Sequence, residues 1–280
     1  MALIDDDFEV YNMQLNAMNM DLLNDMNFEN EGRRVLIQED PFVVLSDRQF
    51  IGTYRLSKVL VRELTNLLTP YIKSPNTSAG LSIERKLLTA LRFFASGSYQ
   101  QDIGEHRGAS VSQASVSRCI TEVANALNVP EILNKYIHFP SSVSELKEVR
   151  LGFYEKFGIP GVIGVIDGTH IAIVPPNTDD LVYPEHVYVN RKGYHSINTQ
   201  LICDSNLKIL NVCVKFPGSS HDSHIWRLSH VLGLLKHLHS IGHTSLLGDS
   251  GYGLRPWLLT PLSEYQPNSP ETRFNRYLVL

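Results

Sequence analysis

Two short stretches decide the fold: Gly164-Val165-Ile166-Asp167-Gly168-Thr169-His170 and Leu246-Leu247-Gly248-Asp249-Ser250-Gly251-Tyr252. Each is an apolar run ending on one aspartate, followed by glycine or serine. A short apolar run bounded by turn residues reads as a buried strand, with the carboxylate exposed at its end. Two such carboxylates at neighbouring strand ends suit a Mg²⁺ or Mn²⁺ site, because hard cations prefer oxygen ligands. Either aspartate alone also reads as a turn residue, since Asp-Gly and Asp-Ser favour turns. The pair, each directly after an apolar strand, favours a functional role.

Working outward, strands are predicted at 162–166, 170–174, 197–202, 208–214 and 244–248. Asp204-Ser205-Asn206 turns the third into the fourth as a hairpin. A helix is predicted over 223–239, with Ile225, Leu228, Leu232 and Leu235 on one side. Strands, then helix, then strand, suit an α/β fold in which helices pack on a mixed sheet.

The region before this is helical. Val59, Leu60, Leu64, Leu67 and Leu68 follow helical spacing within 53–71, and Pro70 ends the run. Ser82 is placed to cap a helix carrying Leu87, Leu88, Leu91 and Phe94, which Gly97 closes. A short helix from Tyr99 to His106, a turn around Gly108 and a longer helix from Ser112 to Leu127 follow. Val116, Cys119, Ile120, Val123 and Leu127 are predicted to face inward, and Gln113, Ser115, Ser117, Arg118 and Thr121 outward. The arrangement is a candidate helix-turn-helix with Arg118 as a phosphate-binding residue; a plain helical bundle has the same polar outer face.

The 280 residues have ordinary globular composition, with 43% hydrophobic and 19% charged residues. No apolar run approaches the length of a membrane span, and no signal peptide opens the chain. Cys119, Cys203 and Cys213 form no CxxC pair, which fits a reducing compartment. The net charge of −4 is uneven. Residues 1–31 hold eight acids and no Lys or Arg, leaving +4 on residues 32–280. That balance permits contact with nucleic acid without demanding it. The expected organisation is an acidic N-terminal tail (1–34), a helical DNA- or partner-binding region (35–150) and a mixed-sheet domain (151–280).

Asp222, in Ser219-Ser220-His221-Asp222-Ser223-His224, reads as a helix N-cap, a third metal ligand or a residue orienting one. His221 and His224 have the spacing of a zinc pair, but no second pair completes a tetrahedral site. Asn190-Arg191-Lys192-Gly193-Tyr194-His195 is a basic, aromatic loop. Arg191, Lys192 and His195 are candidates for gripping a phosphate backbone, and an ordinary solvated loop is the alternative. Gly248-Asp249-Ser250-Gly251 matches the nucleophile segment of trypsin-like proteases, but those are all-β and disulfide-rich.

Taken together, GVIDGTHIAI (164–173), NRKGYHSINTQLICD (190–204), PGSSHD (217–222), LGDSGYGLRP (247–256) and TRFNR (272–276) resemble the PIF/Harbinger transposases and the harbinger-derived nucleases of animals. The resemblance covers residues 35–276. It implies an RNase H-like domain that uses divalent metal ions (Mg²⁺ or Mn²⁺) to hydrolyse DNA phosphodiester bonds. By motif, Asp167 and Asp249 match the first and second catalytic aspartates, and Asp222 an acidic position of the family. The resemblance also implies DNA and a Myb-like protein as partners, and the nucleus, with the cytoplasm as a second location, as the site of action. The family's third carboxylate is a glutamate on a helix after the Phe-Asn-Arg segment. Glu264 and Glu271 precede Phe274-Asn275-Arg276, and the sequence closes on Tyr-Leu-Val-Leu. The expectation is therefore a nuclease truncated before its third acid. The alternatives are a non-catalytic DNA- or protein-binding module and a phosphoesterase of another substrate class.

Overall fold

The structure is a computed structural model that describes residues 39–278 apart from 76, 78, 79, 107, 243, 263–265 and 267. The acidic segment 1–34 and Glu264 lie outside the described residues. Two compact units divide between Asn134 and Lys135.

The first unit is helical: α1 (Pro41–Val44), α2 (Asp47–Tyr54), α3 (Lys58–Leu68), α4 (Ile83–Ser96), α5 (Gln100–Glu105), α6 (Gln113–Leu127) and the start of α7 (Pro130–Tyr136). Serines set the starts. Ser46, Ser57, Ser82 and Ser112 each accept a backbone N–H from the first turn of the helix they precede, satisfying a donor that has no partner within the helix. The helix predicted within 53–71 begins only at Lys58. Arg55 takes a left-handed conformation (φ 61°) that closes α2, and Ser57 then opens α3. Phe50, Tyr54, Val61, Leu68, Leu87, Leu91 and Val123 form the core of the unit. On α6, Val116, Cys119, Ile120 and Val123 are buried as predicted, and Arg118 is exposed. The α5–α6 turn is held by Val111 N–H donating to the Gly104 carbonyl at 3.0 Å, and by the Arg85 guanidinium, which donates to the Ala109 and Ser110 carbonyls.

The second unit holds a five-stranded mixed sheet flanked by helices. In chain order it contains α8 (Val143–Phe157), β1 (Val162–Ala172), β2 (Ser196–Cys203), β3 (Ile209–Pro217), α9 (Asp222–Leu228), α10 (His230–Gly242), β4 (Ser245–Gly248), β5 (Leu258–Leu259) and α11 (Pro270–Leu278). α8 crosses the 150/151 boundary read from the sequence and lies in the sheet-containing unit. The strand order is β3-β2-β1-β4-β5, with β1–β2 and β2–β3 antiparallel and β1–β4 and β4–β5 parallel. Leu246 and Leu247, consecutive on β4, enter different apolar clusters, as strand alternation requires of a sheet covered on both faces.

Two expectations for this unit change, and one strand is added. The strands predicted at 162–166 and 170–174 are one continuous strand, because β2 pairs with β1 from Val165 to Ala172 and carries it through Asp167. The helix predicted over 223–239 is two helices. Ser229 is extended (φ −69°, ψ 135°), which breaks the periodicity and leaves Leu228 58% exposed while Ile225 and Leu235 are fully buried. β5 carries no sequence signal, since two residues are too few for a period.

Candidate active site

The acid pair is built by the parallel pairing of β1 with β4. Ile166 stands opposite Gly248, the last residue of β4, so Asp167 and Asp249 are the next residues on adjacent strands. Val162, Ile163, Gly164 and Ile166 of β1 are buried; beyond them β1 loses its β4 neighbour and becomes partly or fully exposed. Asp167 sits at that transition. Its carboxylate accepts the Gly168 N–H at 2.8 Å. Although its side chain reaches solvent, crowding by protein atoms holds the carboxyl above the usual carboxylate range. The Gly168 N–H opposes that rise, and the charges of Asp249 and Asp222 add to it. Like charges brought together disfavour ionisation until a cation joins them.

Asp249 opens a tight loop. Its carboxylate accepts the Gly251 N–H at 2.9 Å and its carbonyl accepts the Tyr252 N–H at 3.2 Å, so the turn role open to it from sequence is real as well. The loop tucks Tyr252 under the acids, where it is 3% exposed. Burial raises the Tyr252 phenol, and Asp222, Asp167 and Asp249 push it in the same direction against a hydrogen bond from Gln200. The phenol stays protonated.

Asp222 is the first residue of α9, and His221, not Asp222, is its N-cap. The Asp222 carboxylate instead accepts a 2.8 Å hydrogen bond from Asn198 Nδ2, which also donates to the Ser220 carbonyl at 2.9 Å. Gln200 Nε2 donates to Tyr252 Oη at 2.9 Å and to the Asp222 carbonyl at 3.3 Å. Ser196, Asn198 and Gln200 alternate along β2, so they share one face, and all three are buried. Asn198 lies opposite His170 and Gln200 opposite Gly168. This polar stripe and Tyr252 are the site residues missed in the sequence. The signal was the polar alternation in Ser-Ile-Asn-Thr-Gln, which reads as a solvated face until the strand is found in the middle of a sheet.

Of the tentative DNA contacts, Arg191 and Lys192 are exposed in a turn where Asn190 Oδ1 accepts the Lys192 N–H at 2.8 Å and Gly193 is left-handed (φ 81°). His195 points its Nε2 to the Glu185 carboxylate. His170 shares a 3.0 Å hydrogen bond with Ser196 Oγ, and Tyr194 packs edge-on against its ring. Arg118 lies in the helical unit and is exposed.

Among the described residues, no group of three or more His, Cys, Asp or Glu side chains is gathered to hold a metal ion. The donors present are all hard carboxylate oxygens. A pair of them fits the Mg²⁺ mode, in which one or two carboxylates act together with substrate phosphates. Asn275, in the TRFNR segment, has a structural task. Its amide accepts the Leu262 N–H and donates to the Leu262 carbonyl, each at 2.8 Å, tying α11 to the segment after β5.

Comparison with known families bears on these acids directly, since the matched region begins at Ile166, one residue before the first aspartate. Residues 166–279 match the family described as DDE superfamily endonuclease. Outside the family model, the chain is 37% identical over 234 residues to the Bos taurus protein named "Putative nuclease HARBI1", covering 82% of this chain and 63% of that one. The Homo sapiens protein of the same name is 36% identical over 235 residues, with the same coverage. An Arabidopsis thaliana protein named "Protein ALP1-like" is 28% identical over 208 residues, covering 70% of this chain and 49% of its own. The chain thus spans about 63% of the length of the animal relatives. No solved structure matches the chain. The matched region contains Asp167, Asp222 and Asp249, and every strand of the sheet has at least part of its length within it.

Proposed function

We propose that this protein is a transposase-derived nuclease of the RNase H-like type, whose DDE domain hydrolyses DNA phosphodiester bonds with a divalent metal ion. The observation that carries the reading is the register of β1 and β4, which sets Asp167 and Asp249 side by side where the pairing of these two interior strands ends. The strand order, with three antiparallel strands continued by two parallel ones, supports it. So do the relatives named as nucleases.

In this reading Asp167 and Asp249 hold the metal, and Asp222 faces the same site, oriented by Asn198. When bound, Mg²⁺ or Mn²⁺ supplies Lewis acidity and an activated water. The protein's own residues do the positioning. Asn198 fixes the Asp222 carboxylate, and Gln200 holds Tyr252 beneath the acids. The Gly168 and Gly251 amides fix one oxygen each of Asp167 and Asp249. Both acids keep a second oxygen for the cation.

The test is nicking of a supercoiled plasmid with Mg²⁺ or Mn²⁺. We expect metal-dependent nicking that Asp167→Asn and Asp249→Asn abolish. Nicking that survives in both variants sinks the assignment. A second reading, binding without cleavage, rests on the absence of a third gathered acid among the described residues. It predicts salt-dependent DNA retention with no nicking by any form.

A further inference from the structure

The segments that carry Asp222 and Asp249 also wall a second feature. A cleft of about 610 Å³ lies between α9, α10 and the loop from Asp249 to β5. His221, His224 and Arg227 line it from the α9 side, Lys236 from α10, and Arg255 and Trp257 from the loop. The five basic side chains are all exposed. Among the described residues lining the cleft there is no aspartate or glutamate, so no carboxylate in the wall competes for an incoming anion.

The side chains are also arranged. Arg227 Nη2 lies 3.0 Å from His224 Nδ1. A guanidinium can only donate, so His224 accepts at Nδ1 and carries its proton on Nε2. Lys236 Nζ rests 5.2 Å from the Trp257 ring centroid, a contact that steadies a flexible ammonium without neutralising it. Arg255 donates Nη1 to the Leu254 carbonyl at 3.0 Å, which orients its guanidinium.

Arginines recognise phosphate oxygens through planar paired donors, and lysine does so as a point charge. Here the donors are spread over two helices and a loop. Donors carried by three separate elements along one cleft suit several phosphates of a backbone better than a single phosphate group. The cleft adjoins the acids through the chain itself, since Asp222 lies between His221 and Ser223, and Asp249 begins the loop that leads to Arg255. We propose that this cleft is a phosphodiester-binding track, in which Arg227, Lys236 and Arg255 seat the DNA strand flanking the bond held at Asp167 and Asp249. The proposal rests on the nuclease reading for its substrate and adds residues that the aspartate motifs do not include.

The test measures DNA retention by fluorescence anisotropy, with chelator present so that no strand is cut, over a series of salt concentrations. It compares the unaltered chain with Arg227→Gln/Lys236→Gln/Arg255→Gln and with Lys147→Gln, an exposed lysine of α8 that does not line the cleft, on duplex and single-stranded oligonucleotides. Each lost phosphate contact lowers the log–log salt slope by about 0.9 for duplex. The triple variant is therefore expected to lose about 2 to 3 from the slope and to bind more weakly, while Lys147→Gln keeps the slope. If the triple variant unfolds by circular dichroism, Arg255→Gln alone is expected to lose about 1. An unchanged slope in a folded variant overturns the track, as does an unaltered chain that retains no DNA. The two readings fail separately. Retention that drops in the triple variant without any nicking keeps the track and removes the nuclease, and nicking with unchanged retention does the reverse.

Discussion

Gly168 and Asp222 touch in a way that only glycine permits. A Cβ on residue 168 would lie 2.4 Å from Asp222 Oδ1 and 2.8 Å from its carboxyl carbon. The absent side chain on β1 makes the space into which α9 delivers its acid. Gly168→Ala is expected to fold, at an overpacking cost of about 1–3 kcal/mol, and to push the Asp222 carboxylate aside. Displacement of a catalytic group by ~1 Å costs on the order of 100-fold in rate. The check is plasmid nicking beside a thermal melt. Full nicking by a folded Gly168→Ala protein would show that Asp222 does not act at the site.

Tyr252 is expected to matter for order more than for charge. Its phenol is held protonated by burial and by Asp222, and its oxygen takes the hydrogen bond from Gln200. Tyr252→Phe removes that acceptor and leaves Gln200 Nε2 with the longer contact to the Asp222 carbonyl. A loss of about 1–2 kcal/mol is expected, the range for a broken buried hydrogen bond. Urea unfolding measures it. A midpoint within error of the parent would show that the pair contributes nothing net.

Glu145 gives a pH signature. The Ser142 backbone N–H and hydroxyl, then the Ser141 N–H, hold its carboxyl down to about 2, and His138 adds a little. A carboxyl depressed in the folded state contributes stability that is complete above its ordinary value of 4.5 and is lost as pH falls from there to about 2. A carboxyl-detected NMR titration is expected to place Glu145 near 2 in the parent and back toward 4.5 in Ser142→Ala. A parent midpoint near 4.5 would mean that the capping box at the start of α8 is not formed in solution.

Asn275 is expected to hold α11 in place. Asn275→Ala breaks both bonds to the half-buried Leu262 backbone, a cost of about 0.5–1.5 kcal/mol for each hydrogen bond. Hydrogen exchange is expected to quicken in α11 and at Leu262 while β1 and β2 keep their protection. Uniform protection across the variant would remove this role.

Much of the fold was legible because its signals are local. Ser82, Ser112 and Gly97 announce helix ends through their own backbone bonding, and the apolar stripe of α6 follows the helical period into the core. The aspartates were legible because each ends a buried run. What was hidden depends on neighbours. β1 could not be read as continuous, since the β2 ladder that carries it through Asp167 is formed by residues about 30 positions on. Ser196, Asn198 and Gln200 look solvated until the sheet places them inside. Ser229 carries no breaker signal of its own, so the exposure of Leu228 follows from tertiary packing alone. Arg227, Lys236 and Arg255 are scattered in sequence and meet only when α9, α10 and the β5 loop come together.

β1 belongs to two ladders of unlike reach. Its pairing with β2 closes the connection 173–195, and β2 joins β3 through the tight turn at Asp204–Lys208, so this meander forms between segments nearer along the chain than β4 is. Its pairing with β4 joins Ile166 to Gly248 across the β1–β2 connection, the β2–β3 turn and two helices. Non-local parallel contacts carry the larger closure entropy and form late. A chain halted before β4 docks has its meander but no neighbouring pair of carboxylates. Completion of the sheet and creation of the acid pair are thus one event, and a half-folded molecule holds the two aspartates on separate, undocked segments.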